Sequence, residues 1–403
     1  MTPEGWRRIN LGELFREVID AGHDADLPVL SVTLDRGVVR RDSLDRRMDR
    51  EVERNAYRRV HPGDIAYNTM RMWQGASGLV SEMGFVSPAY TVLRAGEDEV
   101  PEFWAHHFKD ARMIRQFRIF SQGFAKDRYR LYFNLFSGIP AVRPPPTEQR
   151  KVAAILSSFD ETMERTKAII EQILHWTETV TEELVTHGLA GGKAPLKESD
   201  GVKLPEGWDA VKLFDIVSIE AGQADPKDRK YRDVPLIAPN HIASGTGDLL
   251  FIETVAEQRA ISGKYPFLAG DVLYSKIRPY LRKAVRVDFS GLCSADMYPL
   301  RPSPRIDSEF LLAVLLSRRF TDYVSRASMR TGIPKINRNE LAGFRVALPP
   351  RSEQEEIAAI LRSFRLRRQA ESRCLVQQRA VKDSLAALLF SGRIRVIPDG
   401  VTA

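Results

Sequence analysis

The sequence predicts an α+β protein: two tandem homologous globular α/β domains, each followed by a long helix, the two helices packed as an antiparallel coiled coil. Three observations carry this. Residues 144–159, PPPTEQRKVAAILSSF, recur as residues 349–364, PPRSEQEEIAAILRSF. Upstream blocks recur in the same order: Pro3-Glu4-Gly5-Trp6 as Pro205-Glu206-Gly207-Trp208, and Gly63-Asp64-Ile65 as Gly270-Asp271-Val272. Behind each Pro-Pro entry, apolar residues step by three and four for about 40 residues, the period of a coiled-coil seam.

The repeat spans roughly 205 residues, far beyond solenoid periods. Tyr67, Arg71, Gly84, Ser87, Leu93 and Arg94 fall on Tyr274, Arg278, Gly291, Ser294, Leu300 and Arg301. Within each half, residues 27–35, 64–68 and 90–94 read as strands, matched by 234–238, 271–274 and 297–301, because these runs are short, apolar and bounded by Gly, Pro and Asp. Residues 101–117 and 307–324 read as amphipathic helices. Prolines hold each long-helix entry extended, Thr147 and Ser352 are the expected N-caps, and Glu148 and Glu353 suit the positive end of a helix dipole.

The seam runs through Ile155, Phe159, Ile170, Ile173, Val180 and Leu184 in the first helix. In the second it runs through Ile360 and Phe364, weakens, and resumes toward Val381, Leu385 and Leu388. A lone helix about 60 Å long has nowhere to bury such a stripe, so the two helices are expected to pack on each other. Expected boundaries are 1–146 for the first globular domain, 147–188 for its helix and 189–203 for a Gly-Gly-Lys-Ala-Pro linker. The second domain follows at 204–350, its helix at 351–392 and a tail at 393–403.

With 403 residues, 43% of them hydrophobic and 28% charged, the chain has the makeup of a globular protein of two or three domains. The 60 Lys and Arg against 53 Asp and Glu leave +7, which admits a polyanionic partner without demanding one. Its two cysteines form no CxxC, which suits a reducing compartment, and no apolar run reaches the length of a membrane span. A cytoplasmic, non-membrane protein is expected.

Catalytic signatures are absent. Gly192-Lys193 lacks both the upstream glycine and the Ser/Thr of a phosphate loop, no Gly-rich strand-to-helix turn offers a nucleotide or S-adenosylmethionine site, and no Asn/Asp-Pro-Pro-aromatic tetrapeptide occurs. The seven histidines are scattered without zinc-ligand spacing. No catalytic residue, metal site or cofactor is assigned to this chain.

Cationic segments are the remaining candidates. Eight arginines crowd residues 40–59 among acids, as a solvated face does. Arg112, Arg115 and Arg118 share a helix face, suited to tracking phosphates or to facing solvent. Lys126, Arg128 and Arg130 mix with aromatics, as do Lys230 and Tyr231. Arg330, Thr331, Lys335 and Arg338 flank a Gly-Ile-Pro turn from which cations reach phosphates or base edges. The segments after each Gly-Asp hold Tyr67, Asn68 and Arg71 in one half and Tyr274, Lys276 and Arg278 in the other, read either as packing or as a DNA-facing loop. Positions that differ between halves there, Asn68 against Ser275 and Met72 against Pro279, are expected to read different bases.

The Pro-Glu-Gly-Trp openings, the Gly-Asp-Ile/Val blocks followed by Tyr, the Pro-Pro-x-x-Glu-Gln helix entries and the terminal Leu-Phe-Ser-Gly-Arg-Ile resemble the specificity subunits of type I restriction–modification systems. That resemblance covers nearly the whole chain. It implies two target-recognition domains separated by antiparallel conserved helices, and binding to a bipartite, asymmetric site on double-stranded DNA. It also implies partners: methyltransferase subunits, two of them, and restriction subunits, which would carry the S-adenosylmethionine, ATP and magnesium. This chain would itself be non-catalytic. A specificity subunit serving a fused restriction–methylation enzyme, and a coiled-coil scaffold without DNA binding, are the alternatives.

Overall fold

The computed structural model describes residues 2–22, 26–44, 56–123, 129–193, 195–219, 222–328 and 334–396. The chain divides into two compact units, one joining residues up to Arg165 with those from Leu375 onward, the other spanning Thr166–Cys374. Both are mixed α and β.

In the first unit, β1 (Arg7–Asn10), β2 (Phe15–Glu17), β3 (Val29–Val32), β4 (Val38–Arg40) and β5 (Arg58–Val60) are followed by β6 (Ile65–Asn68), β7 (Ser77–Leu79), β8 (Gly84–Val86), β9 (Tyr90–Ala95) and β10 (Pro140–Arg143). They form sheets of order β2-β9-β6-β7 and β4-β3-β8-β5, plus the pair β1-β10. Strand alternation explains the layering. Ile65, Tyr67 and Leu93 point into an aromatic cluster with Phe15, Trp104, Phe108 and Phe136, while Ala66 and Val92 point the other way, toward Leu30, Val60 and Val86 of the second sheet.

The second unit opens with the hairpin β11 (Leu196–Ser199) and β12 (Val202–Pro205), which has no counterpart among the described residues of the first. Strands β13 (Asp209–Lys212), β14 (Val217–Ser218), β15 (Pro235–Ile237), β16 (Glu253–Thr254) and β17 (Tyr265–Phe267) precede β18 (Val272–Ser275), β19 (Ala284–Arg286), β20 (Gly291–Cys293), β21 (Met297–Pro302) and β22 (Arg345–Leu348). Their sheets, β14-β21-β18-β19, β16-β15-β20-β17 and β13-β22, repeat the first unit's order strand for strand. Even the lone parallel pairing recurs among the described residues, Leu30 with Val86 and Ile237 with Cys293.

The shared Gly-Asp and Leu-Arg signatures are structural. The Asp64 carboxylate, 2% exposed, accepts from Arg94 Nε and Nη2 at 2.8 Å each, and Asp271, equally buried, accepts from Arg301 at 3.0 and 3.1 Å and from the Leu268 amide at 2.9 Å. A buried carboxylate stripped of such donors is costly. Asp271→Asn is expected to lower stability by about 2 kcal/mol; an unchanged urea midpoint would contradict this role.

Each expected amphipathic helix is two helices. In the first unit α1 (Pro101–His107) and α2 (Ala111–Phe120) break at Asp110, whose side chain caps α2, and α3 (Phe133–Phe136) follows. Then comes the long α4 (Pro146–His187). In the second unit α5 (Ser308–Leu316) and α6 (Arg318–Ala327) break at Ser317, whose hydroxyl accepts from the Phe320 amide; α7 (Arg338–Ala342) and the long α8 (Arg351–Phe390) follow, α8 belonging to the first unit from Leu375 onward as α4 belongs to the second from Thr166 onward. Thr147 and Ser352 are not caps: the Pro145 carbonyl accepts the Glu148 and Gln149 amides, the Pro350 carbonyl accepts the Gln354 amide, and both hydroxyl residues lie in the first turn.

The Glu-Gln pair ties each helix start to its globular neighbour. Trp6 Nε1 donates to Glu148 at 2.9 Å and Trp208 Nε1 to Glu353 at 3.0 Å. Gln149 accepts from the Val100 amide and donates to the Pro144 carbonyl; Gln354 does the same with Asp307 and Pro349. Within each unit the start of one long helix lies beside the end of the other, which is antiparallel packing. Val152 and Leu156 meet Leu389 and Phe390 in the first unit, and Leu184 and Val185 share a core with Ile357 in the second.

The expected seam is displaced by one step in places. Leu184 is buried, and Ile155, Phe159, Ile170, Ile173, Val180, Phe364, Leu385 and Leu388 are half-buried. Ile360 and Val381 are exposed, at 36% and 54%. The weak stretch of α8 has a physical reason: its inward positions are ionic. Arg365 pairs with Glu309 at 2.6 Å, Arg368 with Asp248, and Lys382 with Asp160. Among the described residues no helix is long and apolar enough to cross a membrane, and no cluster of His, Cys, Asp and Glu is arranged to hold a metal.

Candidate nucleic-acid interface

The segment following β18 is built by backbone pairing. Arg278 N donates to the Pro334 carbonyl at 2.8 Å, Ile336 N donates to the Lys276 carbonyl at 2.9 Å, and Ile277 bridges Lys335. This brings together Lys276, Arg278, Lys335 and Arg338, far apart in sequence. Lys276 Nζ lies 5.2 Å from the Tyr298 ring centre and Arg338 Cζ 5.9 Å from the same ring, so one aromatic face carries two cations. Burial pushes the Lys276 ammonium below its ordinary value, and the nearby Lys335 and Arg338 charges push it further. Asp296 opposes these charges from farther off, but no salt bridge among the described residues engages any of the four, so the patch keeps cations available to attract anions.

The first unit has a helical turn at the same place, entered at Arg71 with φ −131° where Arg278 has φ 48°. After β6, Arg71 is exposed and leads into a single helical turn at Met72–Gln74, packed on α2. The Leu131 amide donates to the Thr69 carbonyl and binds this turn to Tyr129, Arg130 and Tyr132. Arg130 donates to the Tyr132 hydroxyl at 3.0 Å, beside a cleft of about 490 Å³ lined by Arg58, Thr69, Met70, Arg130, Tyr132 and Asn134. Arg115 and Arg118 are exposed on α2.

Other expected site residues are placed differently. Tyr67 and Tyr274 are core side chains at 0% and 1% exposure, their hydroxyl pKa values raised by burial, and they present nothing to a ligand. Met72, Pro279 and Ser275 are buried too, so they are not base-reading positions. The Asn68 carboxamide accepts from the Met70 amide and shapes the turn. Arg112 is held by Asp110 and donates to the Ala387 carbonyl at 3.0 Å, a packing role. Lys230 pairs with Asp228 at 3.1 Å, and its cation lies over Tyr231. Arg40, Arg41 and Arg58 of the arginine run engage Glu82, Tyr57 and Glu17. Lys126, Arg128, Arg330 and Thr331 lie outside the described residues.

Local sequence pattern does not single out Tyr298 or the aromatics one position beyond Met72 and Pro279. The last pair had a signal: Trp73 and Tyr280 both follow the matched arginine by two.

The fold is thus a duplicated α/β unit with two long helices and an arginine-bearing turn in each copy. Residues 205–371 match the type I restriction modification DNA specificity domain. The chain is 34% identical over 240 residues to the type I restriction enzyme EcoDI specificity subunit of Escherichia coli, covering 54% of this chain and 53% of that protein. It is 27% identical over 278 residues to the MjaVIII specificity subunit of Methanocaldococcus jannaschii, covering 65% and 64%. These matches span about half to two thirds of the curated relatives' length. Two solved chains share the fold across almost their whole length. One, from a study of type I R-M complex assembly, has a TM-score of 0.56 at 19% identity and covers 98% of this chain and 100% of its own. The other, a type I S subunit from M. genitalium, has a TM-score of 0.55 at 13% identity and covers 97% and 99%. Residues 205–371 thus match a type I restriction modification DNA specificity domain, and the chain is similar to type I specificity subunits over about half to two thirds of its length.

Proposed function

We propose that this chain is the DNA-reading, non-catalytic subunit of a type I restriction–modification complex, each unit reading one half of a bipartite site. The observation that carries this is the cluster of Lys276, Arg278, Lys335 and Arg338, gathered by backbone pairing beside a turn whose counterpart in the other unit carries Arg71. Phosphates attract such cations and fix register, while neighbouring side chains read bases. Two methyltransferase subunits and the restriction subunits are the proposed partners in the cytoplasm, and they would bring the S-adenosylmethionine, ATP and magnesium.

The test is co-expression with a type I methyltransferase subunit from the same genome, followed by mapping of methylated adenines. A split motif that depends on this chain is expected; methylation unchanged by its removal would leave a scaffold. Affinity of the purified complex for its site should fall steeply with salt, and replacing Lys276, Lys335 and Arg338 together by Ala should reduce the slope of log K against log salt by about one per lost phosphate contact. An unchanged slope would remove this face from the interface.

A further inference from the structure

The turns after β6 and β18 carry one aromatic side chain each at the same place in the duplicated fold, Trp73 half-buried and Tyr280 exposed. In the second unit Pro279–Leu281 forms a single helical turn flanked by Arg278 (φ 48°) and Arg282 (φ 51°). Left-handed backbone is disfavoured for residues with a Cβ and persists where the surroundings over-determine it, often at functional sites. Here both flanks are tied. Arg278 N donates to the Pro334 carbonyl, and the Gly245 amide donates to the Arg282 carbonyl at 3.0 Å. The Arg282 guanidinium donates to Glu178 of α4 at 2.7 Å and to the Leu316 carbonyl. Pro279 is buried beneath, and Tyr280 stands 54% exposed on top. A rigid base carrying an exposed, low-entropy aromatic is how proteins present a recognition residue.

In the first unit Trp73 occupies the corresponding middle position of Met72–Gln74, with Gly75 (φ 88°) where Arg282 stands. Trp73 packs edge-on against Tyr129, ring centres 5.7 Å apart, and its Nε1 donates to the Met70 carbonyl at 3.0 Å. Its single hydrogen-bond donor is spent, so it offers only an apolar ring. The Tyr280 hydroxyl, with no partner among the described residues, is free to donate or accept.

The geometry points to Tyr280 and Trp73 as specificity-determining residues of the two half-sites, Tyr280 reading a base edge through its hydroxyl and Trp73 through apolar contact. This rests on the DNA-reading function proposed above. The matched arginines two residues earlier and the cluster around Tyr298 would supply phosphate contacts beside the tip, leaving discrimination to the residue that differs between units.

The experiment maps methylated motifs made by the full chain co-expressed with its methyltransferase, as wild type and as Tyr280→Phe, Tyr280→Ala, Trp73→Phe and Trp73→Ala. Tyr280→Phe, which removes only a solvent-facing hydroxyl, should relax one base of one half-site, with discrimination there falling at least about tenfold. Trp73→Ala should relax the other half-site alone, and Trp73→Phe should preserve it. A wild-type split motif that all four variants retain unchanged overturns the assignment, as does equal weakening of both half-sites by either alanine variant. If the wild-type chain directs no motif, it is the DNA-reading function that fails. If Tyr280→Ala no longer co-purifies with the methyltransferase, the decision passes to Tyr280→Phe.

Discussion

Lowering the pH from 7.5 to 4.5 is expected to destabilise the first unit by about 2 to 3 kcal/mol for each of two adjacent histidines, from 1.36 kcal/mol per pKa unit. His106 and His107 end α1 where it packs on both long helices. His107 is stacked among Phe103, Trp104 and Phe390, the last with ring centres 4.6 Å away, and its Nδ1 has no hydrogen-bond partner among the described residues. Burial pushes its pKa from 6.5 down to about 4; Asp110 opposes this and Arg112 assists. His106 lies 3.1 Å from the Ser157 hydroxyl. Burial, then the Lys382 charge, take it to about 4 as well, against the pull of Asp160.

Since both folded values lie below the unfolded one, the unfolded chain binds more protons between pH 6.5 and 4. The stabilisation is complete above pH 6.5 and is lost as pH falls toward 4. Urea midpoints at the two pH values should therefore converge in His106→Gln/His107→Phe, since shared carboxylate effects cancel in the comparison. Parallel pH slopes for wild type and variant would exclude the histidines.

The spacing of Pro-Pro-Glu-Gln and Ala-Ile-Leu revealed a duplicated helix start, and the structure repeats the sheets around it strand for strand. The partners of those motif residues were invisible, because Trp6 and Glu148, or Asp64 and Arg94, meet only through the fold. Tyr67 and Tyr274 were misleading for a simple reason: a Tyr just before an exposed turn is also the last inward position of a strand, and alternation buries it. Val381 misled because Lys382, pairing with Asp160, takes the inward position beside it. The cationic patch needed the backbone pairing of residues 276–278 with 334–336, which no local pattern encodes.

Arg395→Ala is expected to cost about 3 kcal/mol, because it leaves a buried carboxylate short of charge compensation. Glu148, 3% exposed at the start of α4, accepts from Arg395 Nε and Nη2 at 2.8 and 2.9 Å as well as from Trp6. Arg395 also donates to the Glu4 carbonyl and lies over the Trp6 ring at 5.5 Å. In the second unit Glu353 keeps its tryptophan, but its other donor is the Leu189 amide at 3.1 Å. In both places the donor follows a left-handed glycine that ends a long helix, Gly392 or Gly188, packed against Pro3 in one unit and Trp208 in the other. The segment after each long helix thus closes onto a Pro-Glu-Gly-Trp opening: backbone suffices at Leu189, and an arginine does so at Arg395. A double-mutant cycle with Glu148→Gln separates the pair from its surroundings. Glu148→Gln lets the amide oxygen keep the Trp6 bond without its charge, so Arg395→Ala should cost far less in that background. Additive losses would mean that Arg395 stabilises the first unit through Trp6 and Glu4 alone.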